Sequence, residues 1–318
     1  MRQEIRHSDL VYSTAQKASA AVSSPVAASW SRCLNLYRLQ PEEARKPIHV
    51  DEATFREARE RMERLIGSST DEVDRLYQMV GRSGCCIILA DQNGIVVDRR
   101  GAPGDDVEFR SLGLWEQTLW SEASVGTNGI GTALADERAV VIHRDQHFMS
   151  ANIGLSCATA PIRDHLGRVT AALDVSTCRD DVSDLTLAVL SQAVRDAAAR
   201  VESNLFRQAF AGARIVMVPQ ANSMSALIAV DGDDLILGAT KAARIALKLD
   251  DGLIAQGLPA ADALKETRGE AISDLDDAER AALRRVLSRA NGNVSQAAQM
   301  LGISRATLHR KMKRFQLH

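Results

Sequence analysis

The stretch Gly84–Gly101, "GCCIILADQNGIVVDRRG", decides how the centre of this chain folds. Two short β-prone runs, Cys85–Ala90 and Ile95–Asp98, flank the turn residues "DQNG". Asn-Gly supplies the positive-φ conformations that a tight reversal needs, so the pattern predicts a hairpin. Further along, "AVVIHR", "LSCATAPIRD" and "RVTAALDVS" add three runs of the same character, with "DHLG" turning between the last two. Between the second and third runs, "SLGLWEQTLWSEASVGTNGIGTALADER" reads as loop and helix. Five strands, a helical insertion and a long helix on each side predict an α+β domain at the centre of a multidomain chain.

Charge is distributed unevenly around that centre. The 318 residues carry 39 Lys+Arg and 41 Asp+Glu. From Arg280 onward there are nine basic residues and no acid, which leaves 30 basic against 41 acidic upstream. Segregated basic charge implies a polyanion partner. No apolar run approaches the roughly 20 residues of a membrane span, and "MRQEIRHSDLVYSTAQ" has no signal-peptide core, so no membrane partner and a cytoplasmic location are expected. The five cysteines (Cys33, Cys85, Cys86, Cys157, Cys178) are odd in number and lack C-x-x-C spacing. They predict neither a disulfide framework nor a thiolate zinc site, and read as buried small hydrophobes.

The basic end has its own periodicity. Leu283, Val286, Leu287 and Ala290 recur at helical spacing in "LDDAERAALRRVLSRANGN", and Asn291-Gly292 ends that helix. In "NVSQAAQMLG", Asn293 can cap a second helix with Gln296 as its capping-box partner, and Val294, Ala297, Ala298 and Leu301 form a narrow apolar face. Small alanines admit a closely crossing helix, and Gly302 permits the left-handed turn between the two. Ser304 can cap the last helix, whose Leu308, Met312 and Phe315 face inward, leaving Arg305, Thr307, His309, Arg310 and Lys313 outside. Such a helix-turn-helix with a basic second helix predicts double-stranded DNA as partner. Arginine and lysine supply phosphate charge, and an arginine fork can also read guanine.

Two resemblances add to this. Leu275–Phe315, with "A.R.VL...GN.S.AA..LGISR.TL.RK", resembles the carboxy-terminal domain of the Fis protein and of enhancer-binding bacterial activators. It implies groove or phosphate contacts by Arg305, Thr307, His309 and Arg310, with Ser304 and Lys313 beside them. "WSEASVGTNGIGTALADERAVVIHRDQHF" followed by "GLSCATAPIRDHLGRVTAALDVS" resembles the GAF sensor of acetoin-operon-type activators and their alcohol- or ketone-responsive relatives, and "SW.RC" at Ser29–Cys33 resembles that family's amino-terminal segment. The GAF resemblance implies a small neutral organic effector of the alcohol, ketone or diol class.

The central motifs admit other readings. "GTNGIGT" lacks the Lys-Ser/Thr of a P-loop and does not open a βαβ unit, so it predicts a tight loop before a helix capped by Thr127 or Asn128. His143 and His147 have no carboxylate or cysteine at ligand spacing, so hydrogen bonding within a loop is expected rather than a metal, and no cofactor is predicted. Apolar walls with a few polar groups suit a small-ligand pocket. Trp115, Trp120, Val125, Thr127, Asn128, His143 and Cys157 are the candidate lining. Cys157 is also the candidate for an alternative, a redox-active, sulfoxide-reductase-like GAF enzyme. That chemistry needs an activated thiolate, and Cys157 has no basic neighbour in sequence.

The expected layout is an amino-terminal helical segment (1–66), the GAF domain (67–180), a linker or dimerisation helix (181–211), a truncated PAS-like fragment (212–262) and the helix-turn-helix (273–318). The 181–211 helix has Leu187, Leu190, Val194, Ala197 and Val201 at spacings of three and four, which predicts packing on a second copy or on the GAF sheet. The PAS-like segment "ALIAVDGDDLILGATKAARIALKL" reads as strand, turn, strand, helix. Enhancer-binding activators place an AAA+ ATPase between sensor and helix-turn-helix. Here "ADALKETRGEAISDLDD" joins them with no Walker lysine motif. The expectation is a homodimeric regulator, not an enzyme, that occupies a near-palindromic operator without ATP hydrolysis. RNA polymerase or a full-length enhancer-binding protein is the expected further partner.

Overall fold

The computed structural model describes residues 6–17, 24–43, 48–219, 221, 223, 225–232, 234–264, 279–280, 282–283, 286–287, 290 and 292–317. The chain divides into two compact units, Met1–Leu264 and Lys265–His318.

In the first unit, α1 (His7–Ala15) and α2 (Pro25–Asn35) lead. Helix α2 starts where Ser24 Oγ accepts from the Ala27 amide at 3.3 Å and Pro25 fits the first turn. Helix α3 (Glu52–Val80) is capped by Asp51 and buries Ala58, Met62, Leu65, Val73, Leu76 and Val80 along one stripe. There follow β1 (Cys85–Asp91), β2 (Val96–Arg100), α4 (Asp106–Ser111), α5 (Glu122–Val125), α6 (Gly129–Asp136), β3 (Val140–His143), β4 (Ser156–Arg163), β5 (Val169–Thr177) and α7 (Asp184–Ala209). The five strands pair antiparallel in the order β2-β1-β5-β4-β3. At the β1–β2 turn, Asp91 Oδ1 accepts from the amides of Asn93 and Ile95 at 2.9 Å, and Gly94 adopts φ +88°. Ile95 bridges to Leu119, so the second strand begins at Val96 and runs on to Arg100, later than predicted.

Side-chain alternation assigns the two faces of the sheet. Cys85, Ile87 and Leu89 pack with Leu173 and Val175 against α3 and α7, while Cys86, Ile88 and Ala90 face the insertion between β2 and β3. Covered on both faces, β1 reads as one continuous apolar run. The stripe Leu187, Leu190, Val194, Ala197 and Val201 of α7 lies in the core shared with the sheet. The same stripe therefore is not free to face a second copy.

A second sheet follows, with β6 (Arg214–Met217), β7 (Leu227–Val230) and β8 (Ile236–Ala239) antiparallel in that order, then α8 (Lys241–Leu247), α9 (Asp251–Ala255) and α10 (Ala260–Leu264). Strand, turn, strand, helix is present as expected. The additional strand β6 escapes the sequence pattern because it is short and none of its residues is fully buried. Phe206 of α7 and Phe210 at its C-cap pack on Leu227 and Ala229, which joins this sheet to the first.

The second unit contains α11 (Val294–Met300) and α12 (Arg305–Arg314). Leu283, Ala290, Ala297, Ala298 and Leu308 form its buried centre, with Val286, Leu287, Met312 and Phe315 packed around them. Arg284, Arg285, Arg289, Asn291 and residues 265–278 of the predicted linker lie outside the described residues.

Candidate functional site

The "SW.RC" and "WSEASVGTNGIGT" motifs meet in space. Arg32 donates from Nε to Glu122 Oε2 at 2.9 Å and from Nη2 to Glu122 Oε1 at 2.8 Å, and Nη2 also reaches Asp136 at 2.8 Å. Ser29 Oγ donates to Glu122 Oε1 at 2.5 Å and lies 2.6 Å from Thr127 Oγ1. Glu122 is the deeply buried partner, with a side chain 2% exposed against 30% for Arg32. These bonds clamp α2 onto the loop that opens α6. Gly126 has φ +70°, and a Cβ there would come within 2.5 Å of Phe148. Thr127 thus faces α2, whereas Asn128 caps α6, its Oδ1 accepting from the Gly131 amide at 2.8 Å.

On the insertion side of the sheet, Trp120, Val125 and Cys157 come together with Phe109, Leu114, Ile130 and Leu155. A buried polar strip crosses this apolar cluster. Asp174 accepts from Thr159 Oγ1 at 2.5 Å and Ser176 Oγ at 2.6 Å, Ser176 Oγ also lies 3.1 Å from Cys157 Sγ, and Cys157 Sγ lies 3.4 Å from His147 Nε2. Gly129 rests on this strip, since a Cβ would meet Thr159 Oγ1, Asp174 Oδ1 and Cys157 Cβ at under 3 Å. Burial pushes the Asp174 carboxyl up to about 6, the Cys157 thiol well above its usual value, and His147 down to about 4. The thiol and the imidazole therefore sit side by side uncharged at neutral pH. A thiolate nucleophile is disfavoured there.

The remaining predicted lining residues are elsewhere. His143 lies at the end of β3 and bonds Ser156 Oγ through Nδ1 at 2.8 Å. Trp115 is half-buried, with the guanidiniums of Arg99 and Arg110 at 4.3 and 3.9 Å from its ring centroid. Both histidines are hydrogen-bonded, as expected, and among the described residues no His, Cys, Asp and Glu group could hold a metal ion. A cleft of about 390 Å³ opens beside the apolar cluster, lined by Asp105, Glu108, Phe109, Cys178 and Arg179 among others. Cys178 is only half-buried, unlike the other four cysteines. Burial, Glu108 and Asp105 push its thiol up to about 12.

In the second unit, Asn293 Oδ1 accepts from the amides of Ser295 and Gln296 at 3.1 Å, and Ser304 Oγ accepts from Thr307 at 3.1 Å. Gly302 turns at φ +63°. Arg305, His309, Arg310 and Lys313 are exposed on α12, with Ser304 exposed at its cap and Thr307 half-buried. Among the described residues these side chains form no ion pair. The tail is nevertheless not without acid: Glu279, immediately upstream of the basic stretch, pairs with Lys311 and lies 3.9 Å from Arg314. That contact takes two cations out of the basic set and marks the side of α12 turned toward its own domain.

Ser29, Glu122, Asp174 and Arg99 were not among the candidates read from sequence. Only "SW.RC" offered a signal, and it pointed to the segment rather than to its partner.

Known proteins resemble this chain. The family model described as the MimR amino-terminal domain matches residues 3–203, and the one described as bacterial regulatory protein, Fis family, matches residues 274–315. The acetoin catabolism regulatory protein of Cupriavidus necator is 30% identical over 241 residues, 74% of this chain and 36% of that protein. The propane 2-monooxygenase operon transcriptional activator MimR of Mycolicibacterium smegmatis is 29% identical over 189 residues, 58% of this chain and 30% of that protein. The chain thus spans about a third of the length of these curated relatives. A chain of the crystal structure of the E. coli DhaR(N)–DhaL complex superposes with a TM-score of 0.51 at 19% identity, covering 75% of this chain and 80% of that one, and shares its fold.

Proposed function

Because the chain belongs to the family of bacterial transcriptional regulators described by the MimR amino-terminal domain, here joined to a Fis-type helix-turn-helix, we propose that it is a ligand-responsive regulator that acts by occupying its operator without hydrolysing ATP. The observation that carries this reading is the basic face of α12, where Arg305, His309, Arg310 and Lys313 stand exposed while Glu279 neutralises the opposite side. A helix face that keeps its basic side chains exposed is suited to phosphate.

The effector is a small neutral alcohol, ketone or diol, received by the cluster of Trp120, Val125 and Cys157 with Asn128 and the Asp174 strip supplying polar groups. Trp115, Thr127 and His143 act around this cluster rather than within it. The division of labour follows the layout 1–66, 67–180, 181–211, 212–262 and 273–318. One helix pair covers one half-site, so a homodimer on a near-palindromic operator doubles the contacts. Residues 204–273, between the two family matches, carry no Walker lysine motif, which supports action through occupancy or through RNA polymerase or a full-length partner. The setting is cytoplasmic, where DNA and polymerase are.

The test combines a thermal-shift screen of small alcohols, ketones and diols with gel shifts on upstream DNA, using the full chain and an Arg305→Ala/Arg310→Ala variant. A compound that raises the melting midpoint and changes DNA affinity in the parent is the expected result. DNA affinity unchanged in the double variant across a salt series refutes the assignment of the recognition face.

A further inference from the structure

The edge strand β2 carries a second candidate binding site, made of charge rather than apolar wall. Arg99 pairs across the strands with Ile88, so its side chain projects on the same face of the sheet as the apolar cluster. Its guanidinium is 7% exposed, lies 5.4 Å from the Phe109 centroid and 4.3 Å from the Trp115 centroid, and pairs through Nη1 with Asp106 at 2.8 Å. Its other two donors, Nε and Nη2, are buried without a hydrogen-bond partner among the described residues. Arg110 places a second guanidinium 3.9 Å from the same Trp115 ring. A ring face has room for one guanidinium at such a distance, so the two arginines flank the indole. The cluster thus brings two guanidiniums together with one carboxylate, Asp106, which pairs with Arg99.

We propose that the free Nε/Nη2 edge of Arg99, backed by Trp115 and Arg110, is a binding site for a small carboxylate. Those two N–H groups lie parallel in the guanidinium plane along one edge and match the two oxygens of a carboxylate in a fork, as Arg32 already does with Glu122 through the same two atoms. Buried donors left without acceptors are costly, and an anion of this shape satisfies both at once. Because the side chain is buried, the fork selects a free acid of a few heavy atoms over the face of another protein. Arg110 is exposed and supplies charge at the entrance. The site goes beyond the neutral effector proposed above, since its ligand is an anion and its anchor is Arg99, although Phe109 and Trp115 border both sites.

Calorimetric titration of the full chain with sodium acetate and sodium propionate tests this, with acetamide as the neutral isostere and sodium chloride at matched ionic strength. Saturable binding of the carboxylates and none of acetamide is expected. Arg99→Lys keeps the charge and the reach to Asp106 but loses the fork, so it should weaken acetate by at least about tenfold with an unchanged melting midpoint. Arg110→Gln, at an exposed position, should weaken it severalfold and make binding less sensitive to salt. Should Arg99→Lys fail to fold, Arg110→Gln alone decides. No saturable acetate binding, equal binding of acetamide, or unaltered affinity in Arg110→Gln overturns the proposal. DNA binding is not read out in this experiment, so its failure leaves the regulatory reading untouched and is distinguishable from failure of that reading.

Discussion

The glycine-rich loop of the first unit and the helix-turn-helix of the second are both dense in polar side chains, and they direct them oppositely. Around Gly126–Thr132 the polar atoms point inward: Ser29, Arg32, Glu122 and Thr127 form a network that fixes α2 against the loop before α6, and Asn128 caps α6. Along Arg305–Arg314 the outward side chains are exposed and, among the described residues, Arg305, His309, Arg310 and Lys313 are unpaired. A motif alone does not distinguish the two cases. Burial does, because a buried polar group must find its partner within the protein, whereas an exposed cation keeps its capacity for a ligand.

Substitutions can break this contrast in order of size. Glu122→Ala should be the most damaging, since it removes the buried carboxylate that accepts from Ser29 and from two N–H groups of Arg32. With Arg32 partly exposed and still able to reach Asp136, a loss of roughly 2–4 kcal/mol is expected in denaturant unfolding. A loss under about 0.5 kcal/mol, the range of ordinary surface changes, would mean that the network is dispensable. Gly126→Ala comes next. It forces a side chain into φ +70° and against Phe148, and a cost of about 2–3 kcal/mol is expected, with DNA affinity of the folded fraction preserved. The outward residues should behave in reverse. Arg310→Ala should leave the melting midpoint in place while costing about 1–3 kcal/mol of operator affinity if the arginine reads a base, or reducing the salt slope by about one if it contacts phosphate. A stability loss without a binding defect would put Arg310 in the same class as Glu122.

The sequence made some of this legible and hid the rest for a physical reason. Period-two runs and stripes at spacings of three and four depend on neighbours along the chain. The five strands of the first sheet, the α7 stripe and the capped helix pair accordingly appear where the pattern places them. Contacts between distant segments leave no such periodicity. Thr127 is two residues from Val125, but its hydroxyl meets Ser29, across 98 positions, rather than the apolar cluster. Cys157 acquires a histidine neighbour only because the His143–Phe148 loop folds back over β4. Trp115 was read as an apolar wall because its flanking arginines come from β2 and α4, and only the fold brings both to its ring. Even the acid-free tail has a carboxylate at its border, since Glu279 lies one residue before it and pairs with Lys311.

The smallest predicted effect sharpens the contrast from the side of titration. Glu202 on α7 is a buried carboxyl whose Oε1 accepts from the Arg163 amide at 2.8 Å, with the Arg163 guanidinium only loosely paired at 4.0 Å. Burial outweighs those contacts and raises its pKa from 4.5 to about 7. The folded protein therefore holds a proton on this group that the unfolded chain releases. Its contribution to stability is fully present below pH 4.5 and is lost as pH rises through about 7. Glu202→Gln keeps an acceptor for the Arg163 amide and removes the titration. The variant should gain on the parent steadily as pH rises from 4.5 to 7 and then hold a constant advantage. Comparing the two proteins at each pH cancels the opposite trend of His147, whose lowered pKa makes stability fall on acidification between 6.5 and about 4. A difference between variant and parent that does not change over this range would show that Glu202 is ionised in the folded protein, held by Arg163 as firmly as Glu122 is held by Arg32.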